Sequence, residues 1–226
     1  AGVENNGIIS VGGGKVLLTA KVAKNVVDNV INNTGIIEAS SAHMEGGTVV
    51  LDGGNGNVKL SGTINTSGNT GGNVTVTGEN IALASANINA SGKNGGGTVK
   101  IGGDYQGKGS LPHAKTVKAD AASKIDVSAT DSGNGGTSIV WSDELTNFKG
   151  TILGTGGVNG GDGGLAEVSS KGSLGFSGFA DLHATNGKAG TLLLDPGSLF
   201  LGNVGDFSFL GDDFVKVDAT ITTLNT

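Results

Sequence analysis

Three histidines, two adjacent acidic pairs and two lone aromatic rings are the residues of this chain best equipped for chemistry, and their spacing limits what they can do. His43, His113 and His183 are isolated from one another. Only His183 falls at a position that recurs along the chain, and alternation turns it away from the core, so the three read as solvated imidazoles rather than catalysts. Asp143-Glu144 and Asp212-Asp213 are the acidic pairs. Adjacent residues on a strand point to opposite faces, so neither pair makes an acid–base couple unless it lies in a turn. The stretch GGVNGGDGGLAEV from Gly156 has the glycines of a calcium-binding β-roll repeat, but it carries one Asp162 out of register and no tandem copy. It reads as a structural turn, and neither a metal nor a cofactor is expected.

Sugar contact is the chemistry the aromatic residues could support, because the C–H faces of a sugar ring stack on an apolar ring. Tyr105 is the only tyrosine and lies with Lys108 and His113 in a long irregular stretch, residues 102–122. Trp141 follows Val140, where alternation turns it outward as an exposed ring; a second reading makes it a cap on the core near Phe148. Asn32, Asn65, Asn73 and Asn89 each open an Asn-x-Ser/Thr triplet and are candidate glycosylation acceptors. Thr75 and Thr77 alternate as an ice-binding face would, but that pattern is not repeated in the neighbouring units.

Composition removes several classes of function. The 226 residues include 44 glycines, two prolines and no cysteine, so disulfides and cysteine-ligated zinc are excluded. All 14 basic residues are lysine and the net charge is −6, which leaves a nucleic acid neither an electrostatic footprint nor bidentate arginine readers. No apolar run is long enough to span a membrane. With no visible signal peptide and a first residue of Ala1, the chain reads as an excised or mature fragment, monomeric in its isolated form.

The elements that must position these residues come from a repeat. A Gly-Gly or Ala-Gly step closes at Gly14, Gly47, Gly72, Gly97, Gly136, Gly164 and Gly190, giving intervals of 33, 25, 25, 39, 28 and 26 residues. Two and four residues later come apolar or small pairs such as Val49/Leu51, Val74/Val76, Val99/Ile101, Ser138/Val140 and Leu192/Leu194, the period-two pattern of a strand with one buried face. The glycine step suits a tight bend with positive φ. A second phrase, apolar–any–small–hydroxyl, recurs from Ile37, Ile64, Ile88, Ile125, Ile152 and Leu182, with a seventh copy at Val217. A third apolar pair lies between them at Val58/Leu60, Ile81/Leu83 and Leu174/Phe176.

Three short strands in about 25 residues make one coil of a parallel β-helix, all-β and right-handed, since parallel crossovers wind that way. Seven to eight coils at ~4.8 Å give a rod of roughly 35 Å. Propeller blades need about 40–45 residues and are excluded. One β-helix is expected over residues 1–226. A short amphipathic helix is predicted over residues 22–30 from Val22, Val26, Val27 and Val30, and residues 197–226 begin a further coil or array. The 102–122 insertion is either a functional loop or a looser coil with one extra strand.

The phrases WSDELTNFKG and TLLLDP, with LLTAKVAKNVVDNVINNTGIIEASSAHMEGG, TVKIGGDYQGKG and GGDGGLAEVSSKG, resemble the large exoproteins of the filamentous haemagglutinin type, which include the high-molecular-weight adhesins. The resemblance covers about residues 8–200. It implies a secreted or surface protein of Gram-negative bacteria, exported through an outer-membrane β-barrel partner by two-partner secretion and acting in attachment, biofilm cohesion or delivery of a distant toxin domain. It carries over no catalytic or ligand-binding residue. The family's Asn-Pro-Asn-Gly-type secretion motif is not in these residues, so the resemblance implies the segment just after the secretion domain or the start of the shaft. The leading expectation is a non-enzymatic adhesin stalk whose faces bind a host or matrix glycan. The alternatives are a β-helical polysaccharide-degrading enzyme and a pure spacer for a distal effector.

Overall fold

The computed structural model of the chain describes residues 2–20, 31–41, 46–201 and 214–217. Every third strand lies beside its predecessor. Sheet A runs from Val3–Asn5 through Ile31–Asn33, Asn57–Leu60, Asn80–Leu83, Thr116–Ala119, Leu145–Phe148 and Ser170–Phe176 to Pro196–Leu201. Sheet B starts at Ile8–Ser10 and ends at Phe179–Asp181; sheet C starts at Lys15–Thr19 and ends at Phe214–Val217. The sheets hold eight, seven and eight strands, and the pairs between successive coils are parallel. The molecule is a parallel β-helix whose coil runs A, B, C. The predicted helix at 22–30, His43, Asp212-Asp213 and residues 218–220 of the seventh phrase lie outside the described residues.

Alternation fills the interior with like on like. Val49, Val74 and Val99 stack in register in sheet C, and Ile37, Ile64, Ile88, Ile125 and Ile152 do so in sheet B. All of these are buried, and burying each such side chain contributes about 1.5–3 kcal/mol. Where sheet C turns in Ser138 or Ala166 ahead of its valine, the sheet A strand that follows supplies Phe148 or Phe176, whose rings stack with centroids 6.0 Å apart and planes 7° from parallel. Near the first coil one column of this core is polar: buried Asn5 donates through Nδ2 to Oδ1 of buried Asn33 at 2.8 Å.

The glycine step is required for a different reason than a positive φ. Most of these glycines have ordinary φ, and what they lack room for is a Cβ. A Cβ on Gly97 would sit 2.1 Å from the Gly72 carbonyl oxygen, and one on Gly96 would sit 1.8 Å from that of Val127 in the next coil. The second glycine also closes the corner between sheets B and C: the Gly97 N–H donates to Ala90 O at 2.8 Å, and Gly72, Gly136, Gly164 and Gly190 repeat the bond.

Strand register corrects one alignment. Ile152 pairs with Ala180, not Leu182, so His183 occupies the column of Ser67, Ser91 and Ser128 rather than that of Asn89 and Asp126. Gly154 makes the space this needs, because a Cβ there would meet Leu182 Cδ2 at 2.8 Å. The unrestricted position of the phrase also has a task. Asn65, Asn89, Asp126 and Asp181 each accept, through Oδ1, the N–H two residues on, at 3.1, 3.0, 3.1 and 3.2 Å. These Asx turns bend the chain out of sheet B.

Candidate functional site on the outer face of sheet C

The 39-residue interval comes from the corner where the chain leaves sheet C for sheet A. Thr116–Ala119 is a regular strand of sheet A, so the extra residues are 102–115; they contain one 3₁₀ turn, Tyr105–Gly107, and no extra strand. They fold back over the outer face of sheet C. That face would normally be solvated, yet the outward-pointing Ile139, Trp141, Glu167 and Leu193 are all buried.

Trp141 points outward, as alternation requires, but only 7% of its surface is exposed, so it is not an open ring. It does not cap Phe148 either. Glycines of the insertion cover it: a Cβ on Gly103 would lie 2.6 Å from Cδ1 of the indole, and one on Gly107 2.5 Å from Cζ2. His113 closes the side, its ring 6.0 Å from the indole and tilted by 60°, while its Nδ1 lies 3.1 Å from Asp143 Oδ1. The indole Nε1 is buried and meets no hydrogen-bond acceptor among the described residues. Such a group costs about 1–3 kcal/mol, which the packing of the ring must offset.

Glu167 anchors the turn. Its carboxylate accepts the Gln106 N–H through Oε1 at 3.1 Å and Oε2 at 2.9 Å. Gln106 has φ +55°, a left-handed conformation that a non-glycine residue holds only when its surroundings enforce it. Burial pushes the Glu167 carboxyl above the usual carboxylate range, with a further push from Asp195; the Gln106 N–H, the Ser169 hydroxyl and Lys108 act against it. Asp104 is held below that range, first by its hydrogen bond to Lys100, whose Nζ lies 2.6 Å from Oδ1, and then by the Leu111 N–H, which donates to Oδ2 at 3.0 Å.

The candidates therefore separate. Tyr105 is 43% exposed at the tip of the turn. Lys108 is exposed and donates through Nζ to Gln106 Oε1 at 2.9 Å. His113 is half-buried at the flank, and Trp141 lies beneath. Asp143-Glu144 sits in a turn, where Asp143 meets His113 and Glu144 faces Lys115, itself bound to Glu79 at 2.7 Å. No group of three His, Cys, Asp or Glu residues able to hold a metal ion occurs among the described residues. Asn65 and Asn89 are bound into Asx turns in sheet B, Asn32 lies half-buried in sheet A, and Asn73 is exposed on sheet C. Sequence reasoning missed Glu167. Its signal was a carboxylate in the column of Lys100, Ile139 and Leu193, between two apolar neighbours.

No family model and no curated protein matches the chain. Among solved structures it is similar to the crystal structure of the HMW1 secretion domain from Haemophilus influenzae, with a TM-score of 0.68 and 28% identity. The likeness covers 83% of this chain and 48% of that one, so the chain spans about half the length of the structure it matches.

Proposed function

We propose that the chain is a non-enzymatic shaft segment of a large secreted adhesin, exported through an outer-membrane β-barrel partner and displayed at the bacterial surface. The observation that carries this reading is the in-register stacking of three parallel sheets, together with the likeness to an HMW1 secretion domain. That likeness is to part of a chain named for its role in secretion. We therefore place the segment beside the export-directing end of such a protein and continuing from it into the shaft. A β-helix suits this route, because each coil contacts only its neighbours and folds on the coil already formed. A cysteine-free chain also crosses an oxidising compartment without cross-linking.

Within the segment, the insertion is the place for glycan contact, with the Tyr105 ring as platform and Lys108 and His113 beside it. Support for a non-enzymatic role comes from Glu167, whose carboxylate is sealed under the insertion and engaged by Gln106 rather than open to a substrate. One observation favours the spacer reading: Trp141 is covered, which leaves Tyr105 as the large exposed ring of the site.

The test is a glycan array probed with the purified segment and with Tyr105→Ala, plus an ultraviolet assay for unsaturated uronate on acidic polysaccharides. Binding by the parent, lost in the folded variant, supports the adhesin reading. No binding by the parent hands the segment to the spacer reading, and release of unsaturated uronate would make it an enzyme.

A further inference from the structure

The insertion closes over a carboxylate that has no cation against it. Glu167 is fully buried on the outer face of sheet C, and what meets its carboxylate is the Gln106 N–H on both oxygens and the Ser169 hydroxyl rather than a salt bridge. We propose that Glu167 is a proton-operated latch: when neutral it holds residues 102–115 down on sheet C, and when ionised it favours their lifting into solvent. This inference is independent of what, if anything, Tyr105 binds.

The physical basis is the difference in surroundings between closed and open forms. With the insertion down, the carboxyl group lies between Ile139 and Leu193 and beneath the 3₁₀ turn, where its charged form is poorly solvated. With the insertion lifted, water reaches it. The closed form therefore binds the proton more tightly than the open one, in keeping with the upward push that burial exerts on this group. Closing takes up a proton, so the closed form gains stability as pH falls and loses it as pH rises through the closed-state pKa.

The neighbouring charges modulate this response. Lys108 on the insertion favours ionisation, and Asp195, beyond the strand Thr191–Leu194, opposes it. Asp104 is already engaged by Lys100 on the strand Thr98–Ile101 and by the Leu111 N–H. The His113–Asp143 pair lies on the far side of the indole. Two further features suit a segment that opens as a unit: Gln106 relaxes from its left-handed conformation when released, and Gly103 and Gly107 seat on Trp141 with no side chain of their own.

Trp141 is the chain's single tryptophan, so its emission and its quenching by acrylamide report directly on whether the insertion is down. The experiment titrates quenching from about pH 4 to about pH 8 in the parent, in Glu167→Gln and in His113→Asn, with far-UV circular dichroism checking that the β-helix persists. In the parent, quenching should rise with pH through a midpoint above the ordinary glutamate value. The opening constant should change by about tenfold for each pKa unit that separates closed from open. Glu167→Gln keeps a neutral acceptor for the Gln106 N–H and should stay protected and flat, while His113→Asn should keep the parental transition. The proposal is overturned if the parent shows no transition, if Glu167→Gln retains it, or if His113→Asn abolishes it. Should Glu167→Gln fail to fold, exchange of the Gln106 amide in the parent decides the matter. Corrected for the intrinsic rate, its protection must fall with pH while that of the Gly97 amide does not.

Discussion

The corner that brings the chain into sheet C and the corner that takes it out obey different physics. On the way in, two glycines sit against the backbones of the coils on either side; Gly71 and Gly72 would place a Cβ 2.0 and 2.1 Å from the Ala90 and Gly47 carbonyl oxygens. On the way out, the connection is one residue at Ser169, two at residues 78–79 and fourteen at residues 102–115. Both long intervals in the glycine spacing, 33 and 39 residues, arise at this second corner, between Lys15–Thr19 and Ile31–Asn33 and between Thr98–Ile101 and Thr116–Ala119. One corner sets the stacking of the coils and the other is where a module can be grafted, because an added loop there grows outward without separating the sheets.

Substitutions at the two corners test that contrast. The largest effect belongs to the core both corners serve: Val99→Asp buries a carboxylate between Val74 and Ser138, where the Ser138 hydroxyl is the neighbouring donor and no cation is beside it, and loss of folding or secretion is expected. An unchanged melting temperature would show that Val99 does not face the core. Gly97→Ala should come next. Its new Cβ meets backbone rather than a movable side chain, so a loss of more than about 3 kcal/mol in denaturant unfolding is expected. Gly103→Ala, at the other corner, drives a methyl to 2.6 Å from the Trp141 ring and should expose the indole while leaving far-UV circular dichroism unchanged. If Gly103→Ala unfolds the whole rod, the insertion is part of the framework and the contrast fails. Smallest is Asp126→Ala, which removes one Asx-turn bond to the Ser128 N–H and a partly exposed ion pair with Lys124 at 3.1 Å, and should lower stability by about 0.5–1.5 kcal/mol.

Much of the first corner was legible in the sequence because its physics is local and repeated. Strand alternation, the isoleucine column and the glycine step each recur at every coil, so a misreading of one copy is corrected by the next. The exception shows why: the phrase at Leu182 looked like another copy, but its register depends on Gly154 in the previous coil yielding space, which one phrase alone does not show. The cause of the glycine requirement was also invisible, since the clash is between residues a full coil apart. At the second corner, where the insertion begins was readable, but not its end, read at 122 where the strand Thr116–Ala119 already belongs to sheet A, nor its fold. What Trp141 touches depends on where residues 102–115 land. Alternation correctly turned Trp141 outward and said nothing about the glycines that cover it. Glu167 was hidden for the same reason, its partner Gln106 being 61 residues away.

Native-state hydrogen exchange at neutral pH tests the contrast most directly, comparing the corner amides of Gly97, Gly136 and Gly164 with those of Gln106, Gly107 and Lys108 in the insertion. The corner amides donate to Ala90, Val127 and Gly154 at 2.8, 2.7 and 2.7 Å, whereas Gly107 and Lys108 donate only within the insertion and Gln106 only to Glu167. The expected result is that the corner amides exchange only through global unfolding, with a denaturant dependence matching the whole rod, while the insertion amides exchange through a smaller opening nearly independent of denaturant. Equal protection and equal denaturant dependence in the two sets would contradict the account, since the insertion would then be as much a part of the cooperative frame as the glycine corner.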